Sequence, residues 1–387
     1  MAEHKKISGL HITIMSIAAG VCVANLYYNQ PILKDIAASF NVDESKAGLI
    51  PVLSQTGYGL GLFFITPLGD KIPRKKLIFT LQLLLIVVLT GIVFTPTIFG
   101  LYIMSLLLGM FSVAAQVILP MAAALNKENR GKTVGIVFTG ILIGILSARV
   151  VSGFIAHWLG WRYVFGISAG MVSIVALLTY FGLPTVKAEF NGNYSQLLRS
   201  TILQAKRFSL LRRTALIGAF IFGVFCSFWT TLTFFLSGKP FNYHTDTIGL
   251  FGILAIGGAL LAPVFGKLAD KGNPTRSQVL AASIIIASIL LMKILPYNII
   301  ALSIAVVVLD IGVQATQITN IATIYTLDES AHSRINTVYM TIYFLGGALG
   351  TFAGIQSWRI GGWQMVTWQL LLWTVIALLI AFKKRSL

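Results

Sequence analysis

The chain has 387 residues, 56% of them hydrophobic and only 11% charged, and its formal net charge is +17. This composition excludes a soluble globular domain, which needs a charged coat, and the mean hydropathy of +0.85 points to a chain embedded in a bilayer. The basic excess signifies nucleic acid only if Lys and Arg gather on one soluble face, and here they are scattered through short connections between apolar runs.

A helix of about 20 apolar residues crosses a hydrocarbon core of about 30 Å. Twelve such runs are predicted, near 9–28, 47–66, 77–96, 99–122, 133–156, 162–183, 214–237, 247–266, 277–295, 298–319, 335–356 and 363–382. The alternation of a transmembrane barrel strand does not occur in them. The first run is as long as the others and is followed by Asn25 and Tyr28 rather than a small-residue cleavage site, so it reads as a span. It closes with NLYYNQP at 25–31, whose Asn25, Tyr28, Asn29 and Gln30 suit a cavity mouth or, alternatively, an interfacial aromatic belt.

Span 2 is followed by PLGDKIPRKK, with Asp70 and Arg74, and span 4 carries Gln116. Span 5 holds Arg149 inside GILIGILSARVVSG, where small residues at 140, 144, 148, 152 and 153 suit close helix packing. The polar stretch 184–213 divides the spans six and six, giving a first bundle over 1–183 and a second over 214–387. Within it Leu197, Leu198, Ile202, Ala205 and Leu210 alternate with basic residues as in an amphipathic surface helix. Trp229 and Thr233 lie in span 7, Asp270 and Lys271 follow span 8, and Tyr339 and Tyr343 share a face of span 11.

Asp310 is the one acid, of 12 in the chain, placed within a span. Span 10 runs from Asn298 toward Asp328, so Asp310 falls near the bilayer midplane, where an ionised Asp costs about 2.5–3.5 kcal/mol. Gln314 and Gln317 follow on the same helical face, making a polar stripe that turns into the protein rather than toward lipid. An acid there is either a functional group or a buried hydrogen-bonding partner of a neighbouring helix.

With both ends placed on the cytoplasmic side, 22 of the 29 Lys and Arg fall in cytoplasmic segments, six in outer segments, and Arg149 alone within a span. The positive-inside rule therefore predicts cytoplasmic termini, and the basic excess records topology. Cys22 and Cys226 are the two cysteines, both inside spans, so neither a disulfide nor a metal site is expected.

Three short matches recur at nearly one offset: Asp70 with Asp270, AAQ at 114–116 with ATQ at 315–317, and GWRYV at 160–164 with GWQMV at 362–366. They indicate duplication of a six-helix unit. With the acidic-basic loops after spans 2 and 8, the chain resembles the major facilitator superfamily, whose loop runs Gly-x-x-x-Asp-Arg/Lys-x-Gly-Arg/Lys-Arg/Lys. The first copy keeps Asp70, Lys71, Arg74 and Lys75 but has Thr66 and Pro73 for the glycines; the second keeps Gly266, Asp270 and Lys271. Together with NLYYNQP, SARVVSGFIAHWLGWR and LDIGVQATQITN, the resemblance extends to the bacterial drug and metabolite exporters. It implies an all-α fold of twelve transmembrane helices in two pseudo-symmetric six-helix bundles, with span 10 lining a central cavity.

The same resemblance implies a secondary active transporter of the bacterial inner membrane that exports a small organic molecule by alternating access, as a proton antiporter. Asp310 is then the proton-coupling acid, with Arg149 as its ion partner; anchoring an anionic substrate and snorkelling are the other roles open to Arg149. Asn25, Tyr28, Gln116, Trp229, Thr233, Gln314, Gln317, Tyr339 and Tyr343 are the expected substrate contacts, and Asp70, Arg74, Asp270 and Lys271 the expected conformational switch. Two departures bear on this. Arg149 stands where the exporter signature has a proline, and Ser105 where many proton-driven exporters have an arginine. No Walker loop, nucleophile elbow or metal-spaced cluster occurs, so ATP drive and a membrane enzyme are poor readings and no cofactor is expected. The alternatives are an importer or facilitator of a sugar or organic anion, and a ligand sensor without transport. Small solute, protons and lipid are the partners implied, and nucleic acid is not.

Overall fold

A computed structural model describes residues 8–126, 128–186, 192–255 and 274–382. The described chain is helical and holds no strand. In order it forms α1 (Gly9–Ala24), α2 (Leu33–Ser39), α3 (Glu44–Phe64), α4 (Arg74–Phe94), α5 (Ile98–Phe111), α6 (Ala114–Leu125), α7 (Arg130–Leu159) and α8 (Trp161–Gly182). Then come α9 (Tyr194–Arg207), α10 (Ser209–Ser237), α11 (Thr245–Ala255), α12 (Pro274–Ile294), α13 (Ile299–Tyr325) and α14 (His332–Phe382).

Polar side chains start these rods where the chain leaves water. Asp43 accepts from the Lys46 amide at 2.8 Å, Thr97 from Gly100 at 3.1 Å, and Asn298 from Ile300 and Ala301 at 3.0 and 3.1 Å. Each supplies an acceptor to a first-turn amide that has no helical partner. Counting Glu44–Asp70 and Ile98–Leu125 as single rods, nine described helices are long and apolar enough to cross a membrane; α1 and α11 are shorter apolar helices. Large apolar side chains such as Phe94, Phe181 and Ile360 are more than 70% exposed, as a lipid-facing surface requires.

Three boundaries differ from the sequence expectation. The first span ends at Ala24, and residues 25–32 run as tight turns into α2. The fourth span is two helices, broken at Ser112–Val113. There the Ser112 hydroxyl donates back to the Leu108 carbonyl at 2.7 Å, a bond that bends helices, and Pro120 removes a further amide from α6. The last two spans join without a loop in α14, which bends at Gly361 and Gly362, the latter at φ 57°.

Gly160, between α7 and α8, is also left-handed, at φ 97°. Gly160–Trp161 and Gly362–Trp363 are the repeated GW pair, so the internal match in sequence is also a match in backbone and in role. Both tryptophans are buried.

Glycines set how close the helices come. A Cβ on Gly144 would fall on the Gly20 carbonyl, joining α7 to α1, and one on Gly109 would fall on the Ser54 carbonyl, joining α5 to α3. Gly153 instead faces Thr245 and Gly249 of α11. Nine residues separate 144 from 153, which is about 180° around a helix, so the small-residue run of α7 serves two opposite faces. One faces its own half, the other the half that follows α9.

Candidate functional site

Three kinds of contact close the molecule at the end that carries α2. Lys34 Nζ donates to the Ser237 carbonyl at 2.7 Å, Thr245 Oγ1 to Asp35 Oδ2 at 2.7 Å, and Trp358 Nε1 to Glu44 Oε2 at 2.7 Å. His157 and Asp246 approach to 4.0 Å across α7 and α11. Each joins a residue before α9 to one after it.

At the other end, where α9 lies, the helices part. A cavity of about 470 Å³ is lined there by Leu62, Thr66, Gln116, Pro120, Arg130, Tyr325, His332, Asn336 and Thr337. A second, of about 100 Å³, lies deeper and shares Gln116 with the first. Tyr27, Tyr58, Arg149, Phe222, Phe225, Asp310, Gln314, Gln317, Met340, Tyr343 and Phe344 are among its walls. Helices from both sides of α9 contribute, and the polar stripe Asp310, Gln314 and Gln317 of α13 faces this space.

Arg149 is 2% exposed. Its Nε donates to Gln30 Oε1 at 2.7 Å, while the Gln30 carbonyl accepts from Thr233 Oγ1 at 2.8 Å, so one turn residue joins α7 to α10. The guanidinium carbon lies 4.1 Å from the centre of the Trp229 ring, 5.2 Å from Tyr27 and 5.6 Å from Phe225. A desolvated guanidinium over aromatic faces gains about 2 kcal/mol. At the edge of the indole, Trp229 Nε1 donates to Asp310 Oδ1, 3.5 Å away, the one hydrogen bond to that carboxylate among the described residues.

The expected direct ion pair between Arg149 and Asp310 is not formed as a salt bridge. Trp229 contacts both groups, its face to the cation and its N–H to the anion. Both charges are buried, and no oxygen of Asp310 comes within salt-bridge reach of Arg149; the ion pairs among the described residues are elsewhere.

The chain belongs to the major facilitator superfamily. Its family model matches residues 15–355. The uncharacterized transporter YgaY of Escherichia coli O157:H7 is 40% identical over 373 residues, covering 95% of this chain and 94% of its own. A probable sugar efflux transporter of Helicobacter acinonychis is 24% identical over 295 residues, covering 73% of this chain and 71% of its own. The fold matches a crystal structure of a mutant of the nucleoside transporter NupG with a TM-score of 0.77 at 13% identity, covering 96% of this chain and 98% of that one. This chain is accordingly a multi-pass membrane transporter of that superfamily, with its all-α fold.

The remaining sequence candidates divide. Gln116, Gln314, Gln317 and Tyr343 lie on the deep cavity, Gln116 donating to the Tyr58 hydroxyl at 3.2 Å and Tyr343 stacked on Phe222 at 4.0 Å. Asn25 does not: its amide bonds Val21 and Cys22 of its own helix and its carbonyl oxygen accepts from Ser168, so all its capacity is used in packing α1 on α8. Tyr28 lines a separate lateral recess between α1 and α7, because the helix has already ended at Ala24 and the turn sends Tyr27, not Tyr28, to the centre. Tyr339 is buried away from the cavity walls, its hydroxyl taken by Asn320 at 3.3 Å. Thr233 braces Gln30 rather than facing open space.

Asp70 and Arg74 pair at 3.1 Å, and Arg74 also donates to the Gly69 and Pro120 carbonyls, so the hydrogen bonds of Arg74 among the described residues tie this loop within the first six spans. Asp270 and Lys271 lie outside the described residues. Tyr27, Tyr58, Phe222, Phe225 and Phe344 escaped the sequence reading. Nothing in their local pattern separates a cavity aromatic from a packing one, and only the neighbours across the interface distinguish them.

Proposed function

We propose that the protein exports a small organic molecule across the bacterial cytoplasmic membrane by alternating access, driven by protons entering through Asp310. The single observation that carries this reading is the setting of that acid. Asp310 is 3% exposed at the wall of the deep cavity and, among the described residues, has no ion pair and keeps one long hydrogen bond. A lone carboxylate in that position exchanges a proton with whichever side has access, and its charge changes with the side. Efflux is supported by the probable sugar efflux transporter of Helicobacter acinonychis among its relatives and by the exporter-like motifs.

The transport cycle follows from two related bundles, 1–183 and 214–387, linked by 184–213 and rocking about the cavity. With both termini cytoplasmic, as the positive charges require, the described conformation opens inward and is sealed outward. Asp70 and Arg74, with Asp270 and Lys271, are assigned to the inner seal formed when the bundles rock the other way. Expression in inside-out vesicles tests this. Vesicles acidified inside are incubated with a bacterial cytosolic metabolite extract and their contents identified by mass spectrometry. Wild-type vesicles are expected to accumulate at least one compound that Asp310→Asn vesicles do not; equal proton-driven accumulation in both removes Asp310 from the coupling.

A further inference from the structure

Two opposite charges share one cavity wall without neutralising each other. Arg149 Nη1 and Nη2 are buried with no hydrogen-bond partner, although the same side chain is held firmly through Nε by Gln30. Buried cationic donors left unpaired are costly, and no side chain among the described residues supplies them with an acceptor. Among the described residues Asp310 has only the 3.5 Å bond from Trp229. Arg149 and Asp310 each contact Trp229, the cation at its face and the acid at its N–H, and they form no salt bridge with each other.

We infer that the deep cavity binds a zwitterion, an amino-carboxylate whose carboxylate meets the Nη pair of Arg149 and whose ammonium meets Asp310. The inference rests on the exporter reading above and names its substrate class. A planar carboxylate matches the two parallel N–H vectors of a guanidinium edge, and a compact ammonium matches a carboxylate. A ligand with a single charge leaves the other wall charge unpaired. Tyr27 and Phe225, whose ring centres lie 5.2 and 5.6 Å from the guanidinium carbon, line the cavity together with Arg149, and movement of these rings is the step by which a ligand would reach the Nη pair. Phe222, Tyr343 and Phe344 provide apolar walls for the body of the molecule.

The chemistry also closes the transport cycle. A proton adding to Asp310 converts carboxylate to carboxylic acid, the ammonium loses its counter-charge, and the zwitterion leaves. One proton thus exchanges for one net-neutral solute, and no further ion is needed. An anion would instead bind together with the proton, which gives symport.

The vesicle assay with the cytosolic extract distinguishes the failures. Compounds enriched in wild-type over empty vesicles are expected to be zwitterions, and their accumulation is expected to fall about tenfold in Arg149→Lys, which keeps the charge but loses the planar fork. Enrichment of neutral sugars or singly charged ions alone overturns the inference and leaves export standing. Enrichment of nothing overturns export, and the inference with it. Calorimetry on purified wild-type protein provides a test that needs no variant: the ester and the N-acetyl derivative of the enriched compound are expected to bind at least tenfold more weakly than the parent. Equal binding of either derivative overturns the inference.

Discussion

Gln30 does more than its place in a turn suggests. Its side-chain oxygen holds Arg149 and its carbonyl holds Thr233, so it fixes the cation relative to α10. Hydrogen bonds to charged groups contribute about 1.5–3 kcal/mol, and removing one partner of a buried charge exposes its full desolvation cost. Gln30→Leu is therefore expected to lower stability by about that amount, read as the shift in the denaturation midpoint of the detergent-purified protein. Gly362 is a second residue-scale constraint. Its φ of 57° suits no L side chain, while no atom lies within 4 Å of a built Cβ, so the strain is conformational alone. Gly362→Ala is expected to cost about 1–2 kcal/mol in the same measurement.

At the scale of elements, backbone approach matters more than side-chain packing. In lipid, helices do not gain from hiding apolar surface, and close contact through small residues supplies the association. The α1–α7 seam runs through Gly20, Gly140 and Gly144, where any Cβ meets backbone. Gly144→Val is expected to destabilise the protein by about 1–3 kcal/mol through forced separation of the two helices. Gly135 on the same helix has nothing within 4 Å of its Cβ position, so Gly135→Ala is expected to be neutral or slightly stabilising. Parallel thermal unfolding of the two variants separates a packing cost from a general intolerance of α7 to substitution. The element α9 reaches both halves, Tyr194 donating to the Phe64 carbonyl at 2.5 Å and Arg207 pairing with Asp328 at 2.9 Å, so it straps the open end.

The whole molecule is sealed at one end by polar contacts between halves and open at the other, and the seal is made of few bonds. Trp358 to Glu44, Lys34 to the Ser237 carbonyl and Thr245 to Asp35 each lie at the α2 end. Because alternating access is a balance of two states, weakening contacts made in only one of them shifts populations. Trp358→Phe keeps the ring and removes the N–H, and is expected to raise amide hydrogen exchange in α2 and at the start of α11 relative to wild type. Unchanged exchange there shows that the bond does not help hold this end closed.

The membrane class, the helical fold and the family were legible in the sequence, because a bilayer demands long apolar runs, and the duplicated loops and GW pairs survive as linear patterns. The polar stripe of Asp310, Gln314 and Gln317 was legible too, since helical periodicity alone puts three residues on one face. What only the tertiary structure decided is who stands opposite. That Trp229 contacts both Arg149 and Asp310, that Tyr27 rather than Tyr28 reaches the centre, and that Asn25 is taken up in packing all depend on where one helix ends and which neighbour it meets. Those are contacts between residues 80 to 143 positions apart, and no local periodicity encodes them.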